Sequence, residues 1–152
     1  MNIVRVRYAT IDDEAFIIDS QLKMAKETEN LDLDRVTVTS GVKSVFSDSQ
    51  KGFYIVGEVN GDVVSCLMIT PEWSDWRSNW VWWIQSVYVT YEMRKSGIFT
   101  KMYTFIKEIV SKKSDVAGIR LYVDNTNLNA RKVYRKIGMT DEHYRLFEWM
   151  KS

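Results

Sequence analysis

The chain has 152 residues, 45% of them hydrophobic and 27% charged, with only seven Gly and one Pro, a composition that builds one packed core and excludes a disordered or fibrous chain. Lys and Arg total 21 against 20 for Asp and Glu, so no strong positive field gathers phosphate backbones or anionic lipid, and neither nucleic acid nor a membrane is an expected partner. The single Cys66 rules out an internal disulfide, and with one His143 the His and Cys sets that zinc prefers are missing, so no metal is expected.

A hydrolytic triad would have to use His143, which lies in an alternating tail where no motif supplies an orienting partner. No signal-like apolar run follows Met1, and no stretch approaches the roughly 20 apolar residues of a spanning helix. The expected location is therefore a reducing cytoplasm.

Residues 3–8 alternate apolar and basic side chains, the period of a strand with one wet face. Thr10 stands three residues before Asp13, as in a capping box, and Ala15, Ile18, Leu22 and Ala25 follow at helical spacing. The polar segment 26–30 reads as an acidic linker to a second short helix, which Asp34 caps and in which Val38, Val42 and Val45 share a face. Residues 53–59 and 63–69 flank Asn60-Gly61, the pair suited to the two positive φ angles of a type I′ hairpin.

A polar loop is expected from Glu72 to Asn79. It leads to a central buried strand, residues 80–89, whose apolar run is broken at Gln85 and Ser86; buried polar groups there need either an internal hydrogen bond or a ligand. From Gly97 to about Lys113, Ile98, Met102, Phe105, Ile106 and Ile109 form a helical stripe. Residues 118–123 read as a strand, 128–136 as a helix and 142–149 as a final strand. Helices joining strands predict at least one parallel crossover beside the antiparallel hairpin. The expected fold class is thus α+β, a mixed sheet flanked by helices, as a single domain over residues 1–152.

The segment most informative about chemistry is the turn between the central strand and the long helix. The N–H groups that open a helix, its positive dipole end, and the nearby Arg94 and Lys95 can together hold a phosphate, and Gly97 lets the anion approach the backbone. A solvated basic turn is the plain alternative.

Residues 94–99, Arg94-Lys95-Ser96-Gly97-Ile98-Phe99, resemble the Gln/Arg-x-x-Gly-x-Gly/Ala turn of the GNAT N-acetyltransferase superfamily, with Phe99 where the pattern carries Gly or Ala. Residues 127–139 resemble the same superfamily's Asn-x-x-Ala-x-x-x-Tyr-x-x-x-Gly-Phe segment, and the order of elements is similar over nearly the whole chain. Glu27-Thr28-Glu29, the Gly41 helix and residues 70–77 and 82–89 look like a bacterial subgroup of unassigned substrate.

The resemblance implies acetyl-coenzyme A bound between two splayed parallel strands. Val87, Tyr88 and Val89 would then offer main-chain hydrogen bonds to the pantetheine and acetyl carbonyl, and the turn of Arg94, Lys95, Ser96, Gly97, Ile98, Phe99 and Thr100 would hold the pyrophosphate. Asn127 would contact the cofactor arm, and Tyr134 would protonate the departing thiolate. The chemistry suits these roles, since strand N–H groups stabilise charge developing on a thioester carbonyl. A phenol with an ordinary pKa near 10 can donate to a forming thiolate. Read without the motif, Tyr134 is an ordinary packed helix residue.

Many relatives place a glutamate on the central strand as general base. Here that position approximates Gln85, an amide that cannot serve as a base. Glu27 and Glu29 are the candidates for deprotonating or recognising a cationic amine, or else belong to a solvated acidic loop. Five of the six tryptophans fall between Trp73 and Trp83, where aromatic walls can bind an amine through cation–π contacts. Trp82 and Trp83 point to opposite faces of a regular strand, so at least one belongs to the core, while Trp73 and Trp76 are candidates for a self-association surface.

The expected activity is direct acetyl transfer to a small-molecule or peptide amine in a ternary complex, with a homodimer compatible with the resemblance. Cys66, away from both motifs, is not nominated as an acetyl carrier. A non-catalytic acyl-coenzyme A sensor is the second reading, motivated by the missing strand glutamate. A peptide-binding module without a nucleotide ligand is the third.

Overall fold

The apolar runs read from the sequence up to residue 121 all become elements of the computed structural model, which describes residues 2–152. The chain falls into two units, Met1–Arg120 and Leu121–Ser152.

From Val4 to Leu121 the order is β1 (Val4–Tyr8), α1 (Glu14–Glu29), α2 (Arg35–Ser47), β2 (Phe53–Val59), β3 (Asp62–Ser74), β4 (Asn79–Val89), α3 (Ile98–Lys112) and β5 (Val116–Leu121). The strands lie side by side in chain order. The pairs from β1 to β4 are antiparallel, and the crossover through α3 brings β5 beside β4 as the one parallel pair, the mixed sheet expected from the alternation of helix and strand. The hairpin joining β2 to β3 turns at Asn60 and Gly61, with φ of +52° and +91°.

Register divides the sheet into two faces. Tyr54 and Val56 on β2 pair with Met68 and Cys66 on β3, and these in turn pair with Gln85 and Tyr88 on β4. That face is covered by the first two helices, where Ile17, Ile18, Val42 and Val45 cluster with Tyr54, Val56, Cys66 and Tyr88. The opposite face carries Ile55, Leu67, Ile69 and Ile84 and receives α3 through Ile98, Met102 and Ile106, all buried. Gly57 makes this seat close: a Cβ there would run into the Ser65 hydroxyl and touch Ile98 and Met102.

Three boundaries differ from the sequence reading. α1 runs through residues 26–29 and ends at Asn30, whose left-handed backbone (φ +51°) supplies the cap, because Lys and Glu are good helix formers and the segment simply faces solvent. β3 continues through Pro71 to Ser74, so only residues 75–78 remain as the turn, held by an edge-to-face contact of Trp73 with Trp80 at 5.0 Å. Pro71 is accommodated because β2 stops pairing at Ile69, leaving β3 an edge on that side where the missing N–H is not needed. β5 starts and stops two residues earlier than predicted.

In the second unit α4 (Leu128–Lys136) forms as expected, whereas residues 142–149 are not a strand. Alternation in the tail assigns faces but does not make a strand without a ladder partner, and Tyr144, Leu146, Phe147 and Trp149 are exposed.

The entry to α1 is tied down by charge. Arg7 of β1 donates from both terminal nitrogens to Asp13, at 2.7 and 3.0 Å, and from Nε to Glu58 of β2 at 2.5 Å, while Asp13 also accepts the Thr10 N–H at 2.8 Å. The Arg7 hydrogen bond, with help from Thr10 and against the cost of burial, holds the Asp13 carboxyl below the usual carboxylate range. A lowered carboxyl stabilises the fold above its unfolded-state pKa of about 4 and loses that contribution as pH falls through the folded value. Asp13→Asn is expected to cost about 3 kcal/mol at pH 7 in urea unfolding, and markedly less at pH 3. An equal cost at both pH values would refute the assignment.

Candidate functional site

The site is built where β4 ends and α3 begins. Between the pairs Met68–Gln85 and Cys66–Tyr88, β4 carries one residue more than β3, a bulge whose marker is Ser86 at φ +55°. The extra residue reverses the alternation, so Gln85 and Tyr88, three apart, share the face covered by the first two helices. Past the bulge the chain makes a short 3-10 turn at Tyr91–Met93 and then the turn of residues 94–97.

That turn fits an anionic group. Lys95 and Gly97 both have left-handed backbone, φ +62° and +80°, and α3 opens on Gly97 with no side-chain cap. The N–H groups of a helix's first turn have no intrahelical acceptor, so the positive end of α3 is left to another partner. A Cβ on Gly97 would meet nothing within 4 Å, so the space over the turn is open. Lys95, Ser96 and Thr100 are exposed beside it, and the Ser96 hydroxyl donates to the Met93 carbonyl. Ile98 is buried beneath the helix start, and the Phe99 ring leans on Tyr103 one turn on, at 6.4 Å between centroids.

Arg94 is differently engaged. Its Nε donates to the Val89 carbonyl at 2.9 Å and its Nη2 to Glu27 Oε2 at 2.6 Å, while the guanidinium carbon lies over the rings of Tyr88 and Tyr91 at 5.4 and 5.5 Å. Burial, then the charge of Glu27, raises the Tyr88 hydroxyl above its ordinary value. Glu27 and Glu29 belong to the last turn of α1, and Glu27 is the one brought to β4.

The remaining candidates sort by face. Trp83 and Gln85 lie on the Tyr88 face, half-buried, with Val87 and Val89 on the strand beside them. Gln85 Nε2 donates to Thr70 Oγ1 on β3 at 2.9 Å, which is the internal bond that its place in an apolar run calls for. Trp82 is on the other face, 7% exposed and edge-to-face with Phe53 at 5.1 Å, so it is the core member of the tryptophan pair. A crevice of about 620 Å³ opens near it at the far end of β4, lined by Pro71, Trp80, Lys113 and Asp115. Thr70 and Tyr91 join the site without having been singled out from the sequence, since only strand register and the 3-10 turn reveal them.

In the second unit, Asn127 caps α4, its side-chain oxygen accepting the Ala130 N–H at 3.1 Å. Tyr134 lies on α4, and burial raises its hydroxyl above the ordinary tyrosine value, which keeps it a proton donor at neutral pH. Cys66 is fully buried, and burial pushes its thiol up to about 12, so it holds its proton and is no nucleophile.

The acetyltransferase (GNAT) family matches residues 16–139. Among solved structures, a "possible acetyltransferase" from Clostridium difficile 630 is 40% identical over 99% of each chain, with a TM-score of 0.90. The ribosomal-protein-alanine N-acetyltransferase of Brucella melitensis biovar Abortus 2308 is similar in fold, at 12% identity over 98% of this chain and 100% of its own, with a TM-score of 0.79. So is the glucosamine-6-phosphate N-acetyltransferase of Arabidopsis thaliana, at 14% identity over 98% and 99%, with a TM-score of 0.73. No curated protein sequence matches the chain.

The bulge is testable through Ser86. Ser86→Gly is expected to be neutral or to stabilise by up to about 1 kcal/mol, because glycine adopts positive φ freely. Ser86→Val is expected to cost about 2 kcal/mol or more, since a β-branched side chain is strained there. Equal thermal stability of the two variants would contradict the left-handed assignment.

Proposed function

The chain belongs to the acetyltransferase (GNAT) family, and on that premise we propose that it is an acetyl-coenzyme A dependent N-acetyltransferase acting by direct transfer to an amine. The observation that carries the proposal is the uncapped start of α3 at Gly97, set directly after the bulged strand β4. An anion at that turn gains main-chain donors and the helix dipole. Acetyl-coenzyme A supplies the diphosphate and an acyl group activated as a thioester.

The chain's own residues then have distinct tasks. Gly97 and the amides opening α3 bind the diphosphate, with Lys95 adding charge. The main chain of Val87, Tyr88 and Val89 orients the pantetheine and polarises the acyl carbonyl. Asn127 adds a contact through the amide nitrogen left over from its cap. Tyr134 holds the proton that the departing sulfur receives, its raised hydroxyl keeping that proton in place at neutral pH. The acceptor amine lies on the face of Trp83 and Gln85. Gln85 contributes a carbonyl oxygen as acceptor, its nitrogen being engaged by Thr70. With no carboxylate on the strand, the amine loses its proton to Glu29, water or solvent. A cationic small molecule or a peptide amine in the cytoplasm is the proposed acceptor class.

One observation favours a second reading. Gln85 is tied to Thr70 and cannot act as a base, as suits an acyl-coenzyme A sensor that performs no transfer. Mixing the protein, acetyl-coenzyme A and a panel of amines distinguishes the two. The enzyme releases free thiol with at least one amine, whereas the sensor binds cofactor by calorimetry and releases none. Tyr134→Phe is expected to lower kcat about 10²-fold or more with little change in KM. The wild-type rate should show no loss attributable to this acid below about pH 9, because a phenol raised above its ordinary value of about 10 stays protonated there. Unchanged turnover in Tyr134→Phe would remove the acid assignment.

A further inference from the structure

Sixty-seven positions separate Glu27 from Arg94, yet the two side chains meet at 2.6 Å. The guanidinium serves two elements at once. Nη2 reaches the last turn of α1, and Nε reaches the carbonyl that ends β4, at 2.9 Å. Its position over Tyr88 and Tyr91 fixes the plane in which those donors lie. A fork of this kind needs a planar guanidinium, since an ammonium on a flexible stem cannot hold both directions together.

An arginine that grips a phosphate in the bidentate way offers it two parallel N–H groups along one edge. Of the five N–H groups here, the Nε and Nη2 edge is spent on protein oxygens, and the Glu27 carboxylate beside it repels an anion at that point. We infer that Arg94 is a positioning residue, a clamp that fastens the end of α1 to the end of β4 with Glu27 as its counter-anion, and not a ligand of the diphosphate. Glu27 is accordingly a structural anion and not the base for the acceptor amine. The part of this inference that concerns the diphosphate rests on the acetyl-coenzyme A reading, whereas the clamp itself belongs to the free protein.

Two measurements on the full chain separate these parts. The first is amide hydrogen exchange of the free protein, comparing wild type with Glu27→Gln, Arg94→Lys and the double variant. The clamp requires both single variants to speed exchange at residues 26–30 and 88–90 by about three- to tenfold, with the double variant no faster than either. Unchanged exchange, or effects that multiply, would overturn it. The second is calorimetry of wild type and Arg94→Lys with coenzyme A and with pantetheine, which lacks the diphosphate. If Arg94 positions, the variant weakens both ligands by the same factor. If Arg94 is a phosphate ligand, only coenzyme A is weakened, because the planar fork is lost while the charge is kept, and the inference fails. Wild-type protein that binds no coenzyme A would sink the functional reading alone, leaving the exchange experiment to decide the clamp.

Discussion

One extra residue in β4 governs the arrangement of the candidate site. Had β4 matched β3 residue for residue, Gln85 and Tyr88 would fall on opposite faces of the sheet, and the end of the strand would present its other side to α1. The bulge at Ser86 changes that parity. It sets Tyr88 under Arg94, on the same face as Gln85 and Trp83, and turns the last residues of the strand toward the start of α3. Inserting a residue into a ladder weakens pairing locally, so a bulge at the centre of a sheet needs strong packing around it. The fully buried Leu67 and Ile84 on one face and Cys66 on the other supply that packing.

The two faces of the sheet have correspondingly different work. The face under α3 is filled with branched aliphatic side chains and closed tightly at Gly57, which fixes where the N-terminal end of α3 points. The face under the first two helices mixes apolar cover with the polar groups Gln85 and Thr70, and it is bounded by the Glu27–Arg94 pair. Anchoring α1 at both ends, through Arg7 with Asp13 at its start and Arg94 with Glu27 at its finish, keeps this helix in a defined position over the strand that carries the candidate acceptor groups.

Local signals were legible in the sequence because they depend on neighbours along the chain. Asn60-Gly61 dictates its own turn, Asp34 caps α2 by accepting the Thr37 N–H at 3.0 Å, and the stripe from Ile98 to Ile109 needs only helical geometry. The bulge was visible only as an interruption at Gln85 and Ser86, since an extra residue has meaning only against the register of β3. The Glu27–Arg94 contact leaves no trace in the sequence because its partners lie 67 positions apart, and no local pattern links an acidic segment to a distant turn. The tail differs for the opposite reason: alternation at residues 142–149 is a local signal, whereas a strand is a property of a pair.

The arm formed where β3 and β4 extend past the end of β2 has one further consequence. Its outer rim, with Trp73 and Trp76 exposed, is the sort of margin on which a stray strand from another molecule can dock and begin aggregation. Pro71 removes one rung from that rim at the point where β2 lets go, so an intruding chain finds an incomplete template. The tryptophans can therefore be presented to water with less danger of edge-to-edge polymerisation.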